Sequence, residues 1–147
     1  MSSLYRPAGG WARITSSQSI QGLALAFGMG SDPMYGMDFK ATTSASLLAV
    51  HVDTGPGWSS TAMLANPNSV PADVTLALTP SGGGSIQTAS LSIPAMGAVQ
   101  YDLSAVFPSI TGTLDIDSSQ GIVGFLLLDG RGTGFNYLTA LSMVPLD

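Results

Sequence analysis

Apolar and polar residues alternate with a period of two along most of this chain, a pattern typical of β-strands with one buried face. The clearest case is the segment 73–79, where Val74, Leu76 and Leu78 alternate with polar or small residues. The segment 44–52 is a nearly continuous apolar run that is short and free of helix caps, which predicts a central strand. The complete set of predicted strands is 12–15, 20–27, 44–52, 61–65, 73–79, 89–93, 97–101, 113–117, 122–129 and 135–144.

The segments between the predicted strands are rich in glycine, proline, asparagine and serine, which favour turns because they preset the backbone or bond to it. Asp102 stands where an N-cap would, before LSAVFP, and predicts one helical turn. About ten short strands separated by turns predict an all-β fold, an antiparallel β-sandwich of the Ig-like or jelly-roll-like kind. The predicted turns are SSQ at 16–18 and 118–120, GMGSDPMYG at 28–36, NPNSVP at 66–71, PSGGGS at 80–85 and DGRGTG at 129–134.

A segment near the start of the chain recurs near its end. WARITSSQSIQGLALAFG at residues 11–28 matches TLDIDSSQGIVGFLLLDG at residues 113–130, with an offset of 102 residues and eight identities in 18 aligned positions. Such self-similarity indicates repeated units of roughly 100 residues. The sequence therefore predicts a complete β-sandwich repeat over residues 41–147, preceded by the C-terminal half of another repeat over residues 1–40.

The half-repeat lacks, within this chain, the strands that would complete its own sandwich. Exposed strand edges and apolar faces promote association. Residues 1–40 are therefore expected either to fold back on the complete repeat or to pair with another copy of the chain. A homo-oligomer formed through strand edges, most simply a two-fold dimer, is the favoured outcome.

Composition limits the possible partners and chemistry. The 147 residues form a one-domain length, and no apolar run approaches the roughly 18 residues of a membrane-spanning helix, so membrane insertion is not expected. A net charge of -5 with only four Lys and Arg residues gives no basic surface for nucleic acid. The absence of cysteine excludes disulfides, thiolate catalysis and cysteine-ligated metal centres.

Three turn motifs carry a resemblance to a known group of proteins. They are the histidine and glycine-tryptophan turn in HVDTGPGW, the Asn-Pro in ANPNSVP, and the serine-rich turn before an Ile-x-Gly strand in SSQGIVG. With this order of motifs, residues 48–141, and again residues 11–28, resemble tandem β-sandwich (Ig-like) repeats of large secreted or surface proteins of environmental bacteria. The resemblance implies a secreted or cell-surface location and a structural role. No signal peptide is visible at the N-terminus, so an export signal would lie upstream.

His51 is the only histidine, and at strand spacing it shares a face with Asp53. A Ser-His-Asp hydrolase using Ser59 or Ser60 is one hypothesis for this pair. The alternative is that His51 caps a strand end and forms a hydrogen bond to the turn before Trp58. The alternative is favoured because no Gly-x-Ser-x-Gly segment presents a nucleophile and because function depends on assembled geometry.

Asp115 and Asp117 lie two residues apart on one predicted strand, so their carboxylates share a face. They could bind Ca²⁺, but calcium requires 6 to 8 oxygen ligands and no calcium-loop motif or Glu is present. A solvated strand face is favoured over a metal site, and no cofactor is expected.

Aromatic residues could form a flat platform for sugar rings. The candidate ligand-binding residues are Trp58, Trp11, Tyr35 and Tyr137. Because glycine-tryptophan recurs in GPGW and AGGW ahead of strands, packing against the sandwich end is the simpler interpretation. The sequence thus favours a non-catalytic extracellular module with structural, adhesion or assembly roles. A carbohydrate-binding module with polysaccharide as partner is the alternative, and a weak hydrolase centred on His51 is the second alternative.

Overall fold

The computed structural model describes residues 12–18, 23–26, 35–38, 40, 42–130 and 137–146. Strands dominate this part of the chain, and one four-residue helix, α1, interrupts them. No helix within the described residues is long and apolar enough to cross a membrane. In chain order the elements are β1 (Leu23–Ala26), β2 (Tyr35–Asp38), β3 (Ser44–Asp53), β4 (Ser59–Ala65), β5 (Ala72–Pro80), β6 (Gln87–Ile93), β7 (Ala98–Asp102), α1 (Leu103–Val106), β8 (Thr111–Asp129), β9 (Leu138–Ser142) and β10 (Val144–Pro145).

The long strand β8 belongs to both layers of an antiparallel β-sandwich. Its first half pairs with β3 on one side and β5 on the other, and β10 and β6 extend this sheet, which we call sheet I. Its second half pairs with β4 and β9, and β7 extends this sheet, which we call sheet II. The predicted fold class, an antiparallel all-β sandwich, is confirmed.

The alternation read from the sequence places the core between the two sheets. On β5, Val74, Leu76 and Leu78 are at most 1% exposed while Asp73 and Thr75 on the other face are exposed. Burying these side chains from both sheets provides the main stabilisation of the fold. The core also contains Leu47, Ala49, Val52, Ala62, Leu64, Ile93, Leu103, Phe107, Leu114, Ile116, Ile122, Leu126 and Met143.

The predicted turn at Ser118–Gln120 is wrong, because β8 continues through it as a 19-residue strand. Ser118–Gln120 instead lie where β8 passes from sheet I into sheet II. The register between β3 and β8 shifts here, since Ser44 pairs with Ile122 whereas Ser46 pairs with Asp117. At the bend the Ser119 hydroxyl accepts a hydrogen bond from the Asp73 backbone N–H at 2.9 Å.

The helical turn is confirmed where it was predicted. Asp102 has an extended backbone, and its Oδ1 accepts a hydrogen bond from the Ser104 N–H at 2.9 Å, as an N-cap does. Leu103 is buried in the core, so this single turn closes one end of the sandwich.

The chain also passes between the sheets after β9. The predicted strand 135–144 is divided into β9 in sheet II and β10 in sheet I, and the buried Met143 lies between them. Residues 135 and 136 lie outside the described residues. Both β8 and this C-terminal segment therefore connect the two layers.

The N-terminal segment differs from its prediction. Residues 12–15 lie outside any strand and are exposed. Arg13 Nη2 instead donates a hydrogen bond to the Pro67 carbonyl at 3.2 Å. The predicted turn at Ser16–Gln18 is confirmed by a hydrogen bond from the Gln18 N–H to Ser16 Oγ at 3.1 Å.

The repeated segment forms a hairpin in both of its copies. β1 lies within the predicted strand 20–27, and its partner β2 begins at Tyr35, inside the segment predicted as a loop. Moved by the offset of 102 residues, β1 corresponds to residues 125–128 of β8 and β2 to residues 137–140 around the start of β9. The two hairpin registers differ by two residues, since Leu23 pairs with Asp38 whereas Phe125 pairs with Ser142. An even difference keeps the same residues on the same face. The division of the chain at residue 41 into two units stays a prediction.

Candidate functional site

The structure brings together two of the predicted ligand-binding aromatics, Trp58 and Tyr137, at one end of the sandwich. Trp58 follows a turn in which its backbone N–H donates to the Gly55 carbonyl at 2.9 Å. Gly57, in this turn, has a φ of 81°. The indole ring packs on Gly130, where an added Cβ would lie 2.6 Å from the ring. The Gly130 N–H donates to the Tyr137 carbonyl at 2.9 Å. Gly130 is therefore needed as glycine to hold the two aromatic residues together.

The two rings form a corner and not a flat platform. Their centroids are 5.5 Å apart with an angle of 69° between the ring planes, an edge-to-face arrangement. Trp58 is half-buried, whereas Tyr137 is 44% exposed. We call this pair the aromatic corner. Of the other two candidates, Trp11 and the side chain of Tyr35 lie outside the described residues.

His51 and Asp53 lie on either side of the buried Val52 at the end of β3, where the register against β8 shifts between Ala49 and Val52. His51 is exposed and, within the described part of the chain, makes no hydrogen bond to the turn before Trp58, so that predicted contact is wrong. Asp53 makes the contact instead, since its Oδ1 accepts from the Gly55 N–H at 2.8 Å.

The two candidate serine nucleophiles have structural positions. The Ser60 hydroxyl is fully buried, donates to the Asp53 carbonyl at 2.7 Å and accepts from the Asp53 N–H at 3.0 Å, which joins β4 to β3. Ser59 is half-buried opposite Asp129 in the ladder between β4 and β8. The hydrolase hypothesis therefore gains no assembled catalytic geometry from these residues.

Asp115 and Asp117 lie on the outer face of sheet I, as predicted from their spacing. Asp117 is exposed and accepts a hydrogen bond from the Ser46 hydroxyl at 3.0 Å, while the half-buried Asp115 lies opposite Leu48 and Ala77. No group of three or more metal-ligating side chains occurs among the described residues. The pair supplies too few oxygen ligands for the calcium hypothesis to gain support from this geometry.

Two buried polar residues, Thr54 and Asn66, connect separate segments of the chain, and neither role was predicted from the sequence. Thr54 is 6% exposed, and its hydroxyl donates to the Phe107 carbonyl and accepts from the Ile110 N–H, with the Ile110 carbonyl oxygen 3.1 Å away. Its backbone N–H also donates to the Ile110 carbonyl at 2.9 Å. Thr54 thereby joins the end of β3 to the segment between α1 and β8. The only sign of this role in the sequence is the position of Thr54 in DTGPGW, between a predicted strand and a glycine-rich turn.

Asn66 organises the opposite end of the sandwich and is fully buried. Its Nδ2 donates to the carbonyls of Val70, Ile93 and Pro94 at 2.8, 3.3 and 3.2 Å. Its Oδ1 accepts from the N–H and the Nδ2 of Asn68 at 3.0 and 2.8 Å. The motif NPNSVP was predicted as a turn, and its first asparagine connects that turn to the end of β6.

The fold and these sites define the class of this protein, an antiparallel β-sandwich whose two sheets share a strand. No family model matches the sequence, and no curated protein matches it. Among solved structures, the crystal structure of Thermotoga maritima 1070 is similar, with a TM-score of 0.61 and 10% sequence identity over 70% of this chain and 95% of that chain. At that identity the similarity supports the fold alone.

Proposed function

We propose that this protein is a non-catalytic extracellular β-sandwich module with a structural, adhesion or assembly role. The observation that carries the proposal is the use of the buried polar side chains. Thr54, Ser60 and Asn66 all connect strands or loops, and no buried side-chain polar atom lacks a hydrogen-bond partner within the described part of the chain. The buried polar side chains thus hold strands and loops together. Interactions with partners are therefore expected at the surface of the sandwich.

Assembly through strand edges is supported by the free sides of the outer strands. Among the described strands, β6 pairs only with β5, and β7 pairs only with β4. The unpaired backbone groups of such an edge can bind another strand. Exposed apolar residues stand on either side of β6 in the sequence, since Ile86 is 60% and Met96 is 54% exposed. The partner we propose is a second copy of the chain, related by two-fold symmetry.

A charge placed on the edge tests this assembly. We expect Thr88→Lys or Ser90→Lys, both exposed on β6, to convert a dimer into a monomer, because inserted lysines block edge pairing. Thr75→Lys is the matched control, since it adds the same charge to an exposed position on the internal strand β5. The measurement is the molar mass by size exclusion with light scattering, for these variants and for a chain beginning at Thr42. A wild-type chain that is strictly monomeric at high concentration would contradict the proposed assembly.

A carbohydrate-binding role is the second candidate, and the aromatic corner is the observation that favours it. An exposed tyrosine beside a half-buried tryptophan offers an apolar ring surface and a hydroxyl group to a sugar. We expect Tyr137→Ala to abolish retention on a glycan panel and Tyr137→Phe to retain the part that depends on the ring. Unchanged retention by a folded Trp58→Ala variant would reject sugar binding at this corner.

A further inference from the structure

The outer faces of the two sheets differ in chemistry. The outer face of sheet I is mostly polar, with Asp73, Thr75, Thr79, Ser90 and Asp117 beside the apolar Leu48 and Val144. The outer face of sheet II includes the polar Thr61, Gln100 and Ser142, but a continuous group of half-buried apolar side chains lies along β8 and its neighbours. We call this group the apolar face, and it consists of Met63, Val123, Phe125, Leu127 and Ala140. An apolar outer sheet face of this kind indicates a surface that another segment covers.

The N-terminal segment reaches this sheet on both sides of β8. Arg13 is hydrogen-bonded to the Pro67 carbonyl, just beyond the end of β4. The Cα atoms of β2 come within 8 Å of Cα atoms of β9. Because β4 and β9 flank β8 in sheet II, these two attachments lie on opposite sides of the apolar face. The inner side of the sheet is filled by the core, so the outer side is the side open to the segment between them.

The sequence of the hairpin favours this position over insertion into the core of another copy. Leu126 and Leu128 of β8 point inward and are 0% and 4% exposed. At the offset of 102 residues their counterparts in β1 are Ala24 and Ala26. If β1 replaced β8 beside β4 in another sandwich, two leucine-sized voids would result. The hairpin copy therefore lacks the side chains that a core strand needs.

We propose that the apolar face is a docking surface and that its occupant is the hairpin of β1 and β2 of the same chain, which forms a third layer on sheet II. The proposal concerns a different surface from the β6 edge, so a failure of edge assembly leaves it unaffected. A second copy that supplies the hairpin is the competing occupant.

Cross-linking distinguishes the two occupants, and the absence of native cysteine makes it specific. Gly36→Cys, Met37→Cys and Asp38→Cys in β2 are each combined with Ala140→Cys in β9 and treated with a short bismaleimide. We expect an intramolecular product of monomer mass. The matched control is Met37→Cys with Thr75→Cys on the outer face of sheet I, which should give no intramolecular product. A covalent dimer, or no product from any of the three pairs, would overturn the proposal.

Limited trypsin digestion provides an independent test, because Arg13 and Lys40 flank the proposed layer. We expect Phe125→Ser and Leu127→Ser to accelerate cleavage after both residues severalfold, since a weaker docking contact raises the population of the open segment. Ala77→Ser, on the outer face of sheet I, is the control and should cleave at the wild-type rate. Variants are first shown to retain a β-type circular dichroism spectrum. Wild-type cleavage rates in both folded variants would refute docking on the apolar face.

Discussion

Replacing Asn66 by aspartate is expected to remove most of the stability of this protein. The substitution keeps the shape of the side chain but converts the Nδ2 donor into an oxygen that faces three carbonyl groups. The Asn66 Nδ2 has two N–H groups to share among these carbonyls, and a hydrogen bond contributes about 1 kcal/mol net, so the lost bonds cost about 2 kcal/mol. Burial of a charged carboxylate at a site that is 0% exposed adds several kcal/mol, although the Asn68 N–H and Nδ2 still donate to its Oδ1. The sum approaches the whole free energy of unfolding of a typical domain, about 5–15 kcal/mol.

The loss should depend on pH in a defined direction. Burial raises the pKa of the introduced carboxyl group above its value of about 3.9 in the unfolded chain. Between these two pKa values the folded state binds more protons than the unfolded state. The free energy of unfolding of the variant therefore falls as the pH rises through this window, and part of the stability returns in acid.

Urea denaturation followed by circular dichroism measures the effect, with the free energy extrapolated linearly to water. The matched control is Gln100→Glu, the same amide-to-acid change at an exposed position of β7, which should stay within about 0.5 kcal/mol of wild type. If Asn66→Asp were also within about 0.5 kcal/mol of wild type, the role assigned to Asn66 would be wrong.

Two further substitutions test close contacts in the fold. Gly112→Ala should lower the melting temperature strongly, because an added Cβ would lie 2.2 Å from the Thr79 carbonyl oxygen. Gly82→Ala is the control and should be tolerated, because its Cβ would have no atom within 4 Å. Equal melting temperatures of the two variants would contradict this prediction. Thr54→Val should lower the free energy of unfolding by about 2–3 kcal/mol in urea denaturation, because it leaves the Ile110 N–H without its hydroxyl acceptor and the Phe107 carbonyl without its hydroxyl donor. Thr75→Val, at an exposed strand position, is the control, and a similar loss in both variants would remove the special role of Thr54.

The strands were predictable where one local pattern determines them. On β5 the alternation of Val74, Leu76 and Leu78 follows directly from a strand with one buried face, and Asp102 carried the signature of an N-cap. The continuation of β8 through Ser118–Gln120 was not predictable, because residues suited to a turn are equally suited to the place where a strand exchanges its partners in one sheet for those in the other.

The candidate site was only partly predictable for a similar reason. The proximity of Trp58 and Tyr137 depends on Gly130, which is distant from Trp58 in sequence and adjacent only after β4 pairs with β8. The predicted His51 contact is wrong because the Asp53 carboxylate accepts from the Gly55 N–H in its place, a choice between neighbours that strand spacing alone does not make. Asn66 was recognised as a turn residue, but its three carbonyl partners come from segments that meet only in the folded chain.

Sharing β8 between the sheets has a mechanical consequence. In a sandwich whose layers touch only through side chains, a force that pulls the layers apart is resisted by packing alone. Here the covalent backbone of β8 crosses from one layer to the other, and each of its halves is held by ladders on both sides. Separating the layers therefore requires a whole ladder of backbone hydrogen bonds to break together. A force that pulls the two sheets apart would therefore act along the backbone of β8, which is hydrogen-bonded in both sheets.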